Sequence, residues 1–102
     1  MGELIPNPLK RRKPPKGSRC FVAGPAPRAG CVQWLRELGY EAVSADSAST
    51  LRESLQEVLD ADFVVILPGW QLDRQADVQV GLARNLRLDV LECGELDPVY
   101  LP

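Results

Sequence analysis

Apolar positions along this chain come in short runs punctuated by glycine and proline. Cys20-Phe21-Val22-Ala23 stops at Gly24-Pro25-Ala26-Pro27, which predicts a strand followed by a tight loop. Val32, Leu35 and Leu38, joined by Cys31 and Trp34, repeat at helical spacing and end at Gly39, a residue suited to the left-handed C-terminal turn of a helix. Tyr40 to Ser44 is a weak second strand, followed by a polar stretch from Ala45 to Ser49. Thr50-Leu51-Arg52-Glu53 fits a capping box, and behind it Leu51, Leu55, Val58 and Leu59 form one apolar stripe. Phe63-Val64-Val65-Ile66-Leu67 is apolar at every position, the pattern of a parallel strand covered on both faces. Pro68-Gly69-Trp70 breaks that run. Asp73 then caps a helix running to about Leu86, with Ala76, Val80, Ala83 and Leu86 facing inward. Leu88 to Cys93 is the last strand, closed by Gly94.

Strands alternating with helices predict an α/β fold, a small flavodoxin- or Rossmann-like three-layer sandwich. The expected sheet is parallel and four-stranded, in the order 2-1-3-4, with helices on both faces. Ligands of such sheets sit beyond the carboxyl ends of the strands where the order reverses. Here that point lies between strands 1 and 3. The loops Gly24–Pro27 and Pro68–Trp70 are therefore expected to face each other across a pocket, with the third helix aiming its N-terminus at it.

Composition narrows the function classes. The chain has 102 residues, 45% apolar and 25% charged, which fits one ordinary globular domain. Its longest apolar run is too short to span a bilayer, and no secretory leader is read at its start, so a cytoplasmic location is expected. Histidine is absent, and Cys20, Cys31 and Cys93 are odd in number and widely spaced. No metal site or cofactor is expected from them; they read as reduced thiols. Charge is uneven. Residues 1–19 hold six basic side chains against Glu3, a net of +5, which leaves −7 for the rest. Residues 1–18 are read as a basic, proline-rich flexible arm, 19–94 as the folded domain and 95–102 as an irregular tail. The arm serves as a solubilising tail or, through residues 10–19, as a weak contact to nucleic-acid phosphates. Aromatic residues for base stacking are missing from it.

Two stretches carry a family resemblance. Phe21-Val22-Ala23-Gly24-Pro25 resembles the Y-I/L-A/S-G-P opening of nucleoside 2-deoxyribosyltransferases and their relatives. Ala61-Asp62-Phe63-Val64-Val65-Ile66-Leu67-Pro68-Gly69-Trp70 looks like the A-D-x-V/I-x-x-L-P-G-W strand of a small branch of that superfamily, common in bacteriophage genomes. The branch continues x-x-S/D-x-G-A-x-x-E-x-x-x-A, which sets Asp73, Gln75, Ala76, Gln79 and Ala83 on motif positions. The similarity runs over about residues 19–93, with a short loop after Gly24-Pro25.

The resemblance implies cleavage or transfer of the N-glycosidic bond of deoxyribonucleosides or their phosphates. In the family a helix glutamate attacks C1′, and a carboxylate suits an oxocarbenium-like transition state. A strand tyrosine orients that glutamate, an aspartate helps bind and protonate the leaving base, and a glycine lets substrate approach. This chain keeps only Asp73 of those four. Gln79 stands at the nucleophile position, Phe21 at the tyrosine and Gln75 at the glycine. An amide forms no glycosyl ester, so the expectation is a catalytically degenerate protein. Its ligand residues would be Gly24, Pro25, Gly69, Trp70, Asp73, Gln75 and Gln79, taking a nucleoside, a nucleotide or a derived signal. One alternative is a phage protein that binds a host protein in the host cytoplasm and keeps a vestigial pocket. Another is an active N-glycosidase using Asp73 with Asp77, which is i+4 on the same helix. Trp70 is either helix packing or a stacking wall, and Trp34 core or subunit contact. The family's habit further implies a homodimer or higher oligomer, with Asp97 and Tyr100 as residues lent to a neighbour.

Overall fold

A computed structural model describes residues 14–45 and 50–92 of the chain. The expectations for Cys93, Gly94, the tail, the polar stretch beyond Ala45 and arm residues 1–13 lie outside those residues.

The elements alternate as the apolar runs require: β1 (Arg19–Ala23), α1 (Ala29–Glu37), β2 (Glu41–Ser44), α2 (Leu51–Leu59), β3 (Phe63–Ile66), α3 (Arg74–Asn85) and β4 (Asp89–Glu92). One parallel sheet runs β2-β1-β3-β4, so the strand order reverses between β1 and β3. Val22 pairs with Ser44 on one side and Val65 on the other, which levels the carboxyl ends of the three strands.

Alternation along the strands splits the core in two. Cys20, Val22, Ala42, Phe63, Val65 and Leu91 meet Val32 and Leu35 of α1. On the opposite face Phe21, Ala23 and Val64 meet Val58 of α2 and Ala76, Val80 and Ala83 of α3. Helices on both faces of a parallel sheet make the three-layer, Rossmann-like sandwich expected from the sequence.

Local signals act as their chemistry predicts. Gly39 adopts φ +102° just after α1, a conformation that strains residues with a Cβ. The capping box is complete: the Glu53 N–H donates to Thr50 Oγ1 at 3.1 Å and the Thr50 N–H to Glu53 Oε1 at 2.8 Å. Two inner stripes differ from the expected ones. Leu59 is 51% exposed and Leu86 41%, whereas Ser54 and Gln79 are buried. A stripe read from residue type follows hydropathy; the helices instead rotate to bring one polar pair together between them.

The boundary between arm and domain also moves. Residues 14–18, assigned to the arm, are held on the body. The Tyr40 hydroxyl donates to the Pro14 carbonyl at 2.8 Å, and the Gly17 N–H to the Gly39 carbonyl at 2.8 Å. Tyr40 itself stands edge-on to Phe63, ring centroids 5.2 Å apart, so its hydroxyl is fixed from below by core packing.

Candidate functional site at the carboxyl edge of the sheet

The two loops at the switch point pack on each other. Gly24 has φ +148°, and a Cβ there would lie 2.7 Å from Leu67 Cβ, so the close approach of the β1 and β3 exits requires glycine. Gly69, with φ +86°, turns the second loop, and a Cβ there would lie 3.7 Å from Pro25 Cγ, so the two loop tips are near neighbours. The open pocket expected between these loops is therefore replaced by contact. The space a ligand needs is filled where the glycines let backbone meet side chain.

Beside that contact lies a small crevice. Val22, Gly24, Arg28, Ala45, Asp73, Gln75 and Gln79 enclose about 20 Å³, room for a single water. Four of the residues singled out in the sequence, Gly24, Asp73, Gln75 and Gln79, thus converge. The others do not. Gly69 and Trp70 line a separate hollow of about 300 Å³ with Ile66, Leu67 and Glu92. Pro25 lines neither space. Phe21 is fully buried in the α2/α3 core and lines neither space.

Asp73 and Gln79 in the crevice each have a structural task already. Asp73 is the N-cap of α3, and its Oδ1 accepts the Ala76 N–H at 3.0 Å. That hydrogen bond satisfies one of the four donors a helix start leaves open. Gln79 is 3% exposed; its Nε2 donates to Ser54 Oγ at 2.9 Å, and that hydroxyl donates to the Leu51 carbonyl at 2.9 Å. The chain of donors runs from α3 through α2 to its first turn. Every buried polar side-chain atom among the described residues has a partner, so the amide sits there without cost in unmet hydrogen bonds.

Arg28 is the residue that sequence reasoning passed over. It follows the β1 loop directly, and its guanidinium crosses the crevice: Nη1 donates to the Gly24 carbonyl at 2.9 Å and Nη2 to the Ala45 carbonyl at 2.6 Å. A basic side chain at the mouth of a switch-point loop was the signal available for it. Asp77 lies on the exposed face of α3 and is not among the crevice residues. The Asp73–Asp77 pair therefore does not assemble at this site, because α3 turns position 77 away from the sheet edge.

Trp70 opens a single 3-10 turn, Trp70–Leu72, and packs against the α2/α3 core. The Arg84 guanidinium carbon lies 5.3 Å from its ring centroid, so one ring face is taken by a cation. Trp34 packs against the α1 core. No cluster of Cys, Asp and Glu with the makings of a metal site occurs among the described residues. None of the helices there is long and apolar enough to cross a membrane.

Compared with protein-family models, curated proteins and solved structures, the chain matches none.

Proposed function

We propose that this is a catalytically degenerate nucleoside deoxyribosyltransferase-like protein that binds a nucleoside- or nucleotide-class ligand without glycosyl transfer. The observation that carries the reading is the convergence of Gly24, Asp73, Gln75 and Gln79 on one crevice at the strand-order reversal. Those are motif positions of the resembling family, gathered where open α/β sheets take ligands.

The loss of chemistry follows from what the residues do. Glycosyl transfer needs a carboxylate free to attack C1′, and the amide at position 79 donates to Ser54 instead. Asp73 retains its carboxylate but uses it on the helix start. Phe21 offers no hydroxyl and is sealed in the core. Ligand entry requires rearrangement: a nucleoside needs several hundred Å³, the crevice offers about 20 Å³, and the Arg28 guanidinium tied to Gly24 and Ala45 crosses it.

The test is a panel of nucleosides and nucleotides monitored by amide chemical shifts, alongside an assay for free base. Saturable shifts at Gly24, Gln75 and Gln79 with no base released are expected. Base release by the unmodified protein would overturn the loss of catalysis; absence of any shift at about 1 mM ligand, a concentration that reveals even −4 kcal/mol binding, would overturn the ligand. A second reading, in which the chain acts by binding another protein, is favoured by one feature. Leu72 is 93% exposed next to the half-buried Trp70, so its side chain is open to an apolar surface of a partner.

A further inference from the structure

β2 is an edge strand: among the described residues it pairs with β1 alone. Its register decides which main-chain groups face outward. The Glu41 N–H donates to the Ser18 carbonyl, just ahead of β1, so the main-chain groups of Glu41 and Val43 serve the ladder with β1. Alternation along the strand then turns those of Ala42 and Ser44 away from β1. An edge of this kind is a template for pairing with another chain, and charged side chains are one way of blunting it.

Here the blunting group is Arg36, in the last turn of α1. Its Nε donates to the Ala42 carbonyl at 3.1 Å, an outward acceptor of the strand, and Ala42 is 1% exposed. Space lies beside the edge. Residues 40–43 line one cavity of about 350 Å³, Ser44 and Ala45 line another of about 380 Å³, and Arg36 borders both.

The occupant that fits is a second copy of this chain. The first cavity holds Arg19 and Arg36 together with Glu41, Glu57 and Asp60, so a two-fold mate brings carboxylates to guanidiniums and the reverse. Antiparallel pairing centred on Val43 sets Ala42 opposite Ser44 of the second copy. Each such pair exchanges two main-chain hydrogen bonds, four in all. In two of the four the acceptor is the Ala42 carbonyl, the atom that Arg36 holds.

We propose that Arg36 is a latch on a self-association edge: bound to Ala42 it keeps β2 shut, and its release opens β2 to antiparallel pairing with β2 of a second copy. The inference does not rest on the nucleoside reading, since Arg36 lines no part of the switch-point crevice.

Sedimentation of the full chain over a range of concentrations, compared with Arg36→Ala, tests the latch, with amide hydrogen exchange on the same samples. Arg36→Ala is expected to associate at least about tenfold more tightly than the unmodified chain, the worth of two regained main-chain hydrogen bonds. Exchange at Ala42 and Ser44 should slow as it associates, while Val43, protected by β1, stays slow throughout. Arg36→Met keeps the unbranched stem and loses the donor, so it should act in the same direction with less disturbance of the fold. Ser44→Pro removes the N–H that would take the Ala42 carbonyl and leaves the β1 ladder whole, because that N–H faces outward. Added to either Arg36 variant, it should restore the association of the unmodified chain. An Arg36 that only ties α1 to β2 would lower the unfolding midpoint without moving sedimentation. That result, or association that persists once Ser44→Pro is added, would overturn the latch.

Discussion

The two faces of the sheet draw on the same strands and are built differently. The α1 face is packed with large side chains: Phe63, Tyr40 and Leu35 are buried, with Trp34 and Leu38 against them. The α2/α3 face is lined by small ones, Ala23, Ala61, Ala76 and Ala83, around Phe21 and three valines. Alanines let two helices lie close to the strands and to each other. That closeness brings Gln79 within 2.9 Å of Ser54, 25 residues away in the chain. The face with the smaller side chains therefore holds a polar pair inside, as a cross-brace between helices. The other face holds none of the motif's polar positions and serves the core.

Substitutions of opposite kind should break the two faces. Phe63→Ala removes a ring that Tyr40 stands on and should cost about 3–5 kcal/mol, read from denaturant midpoints. On the opposite face the harmful change is growth: Ala83→Leu, at a position with no exposure, should cost about 1–3 kcal/mol by overpacking. If Ala83→Leu were neutral, the close approach of α3 to the sheet would be wrong.

Gln79→Glu sharpens the same contrast, because it puts a carboxylate where the amide is braced. Ser54 already donates its one proton to Leu51, so a glutamate there finds no donor in Ser54 and buries its charge. The expected cost at neutral pH is about 1–3 kcal/mol. Burial raises the folded pKa of such an acid, so the loss is small below its unfolded pKa and grows as pH rises. Gln79→Met should cost less than Gln79→Glu at neutral pH, with no pH dependence; the reverse order would show that a charge at position 79 is not sealed from water.

The smallest effect at neutral pH belongs to the α1 face. Burial pushes the Cys20 thiol up from 9.0 to about 12. Tyr40 is also raised, first by burial and then by the neighbouring Cys20. Both groups keep their proton in the folded chain at pH values where the unfolded chain loses it. Their contribution is therefore complete below pH 9.0 and is lost as pH rises toward 12. Unfolding midpoints should fall over that window, and Cys20→Ala should flatten the slope while lowering stability at neutral pH.

Much of this molecule was written in local pattern. Short apolar runs ending at glycine and proline marked β1 and β3, the two central strands; Thr50 with Glu53, Asp73, and Gly39 marked helix ends that the structure matches. These are legible because a cap or a left-handed turn is decided within a few residues. The site was half legible. Motif spacing led to Gly24, Asp73, Gln75 and Gln79, which share one crevice, but also to Gly69 and Trp70, which line another hollow. Spacing along a helix says which residues share a face, and it cannot say what stands opposite.

What the sequence alone determined is the order of elements and the layered α/β class, because hydrophobic period and turn chemistry are local. Tertiary structure decided the rest: that Gly24 and Leu67 close the gap between the loops, that Arg28 fills the crevice, and that Ser54 receives Gln79. Each is a contact between segments distant in the chain or a choice among backbone acceptors. Such pairings are set by how helices rotate to satisfy buried polar groups, which no window of sequence contains.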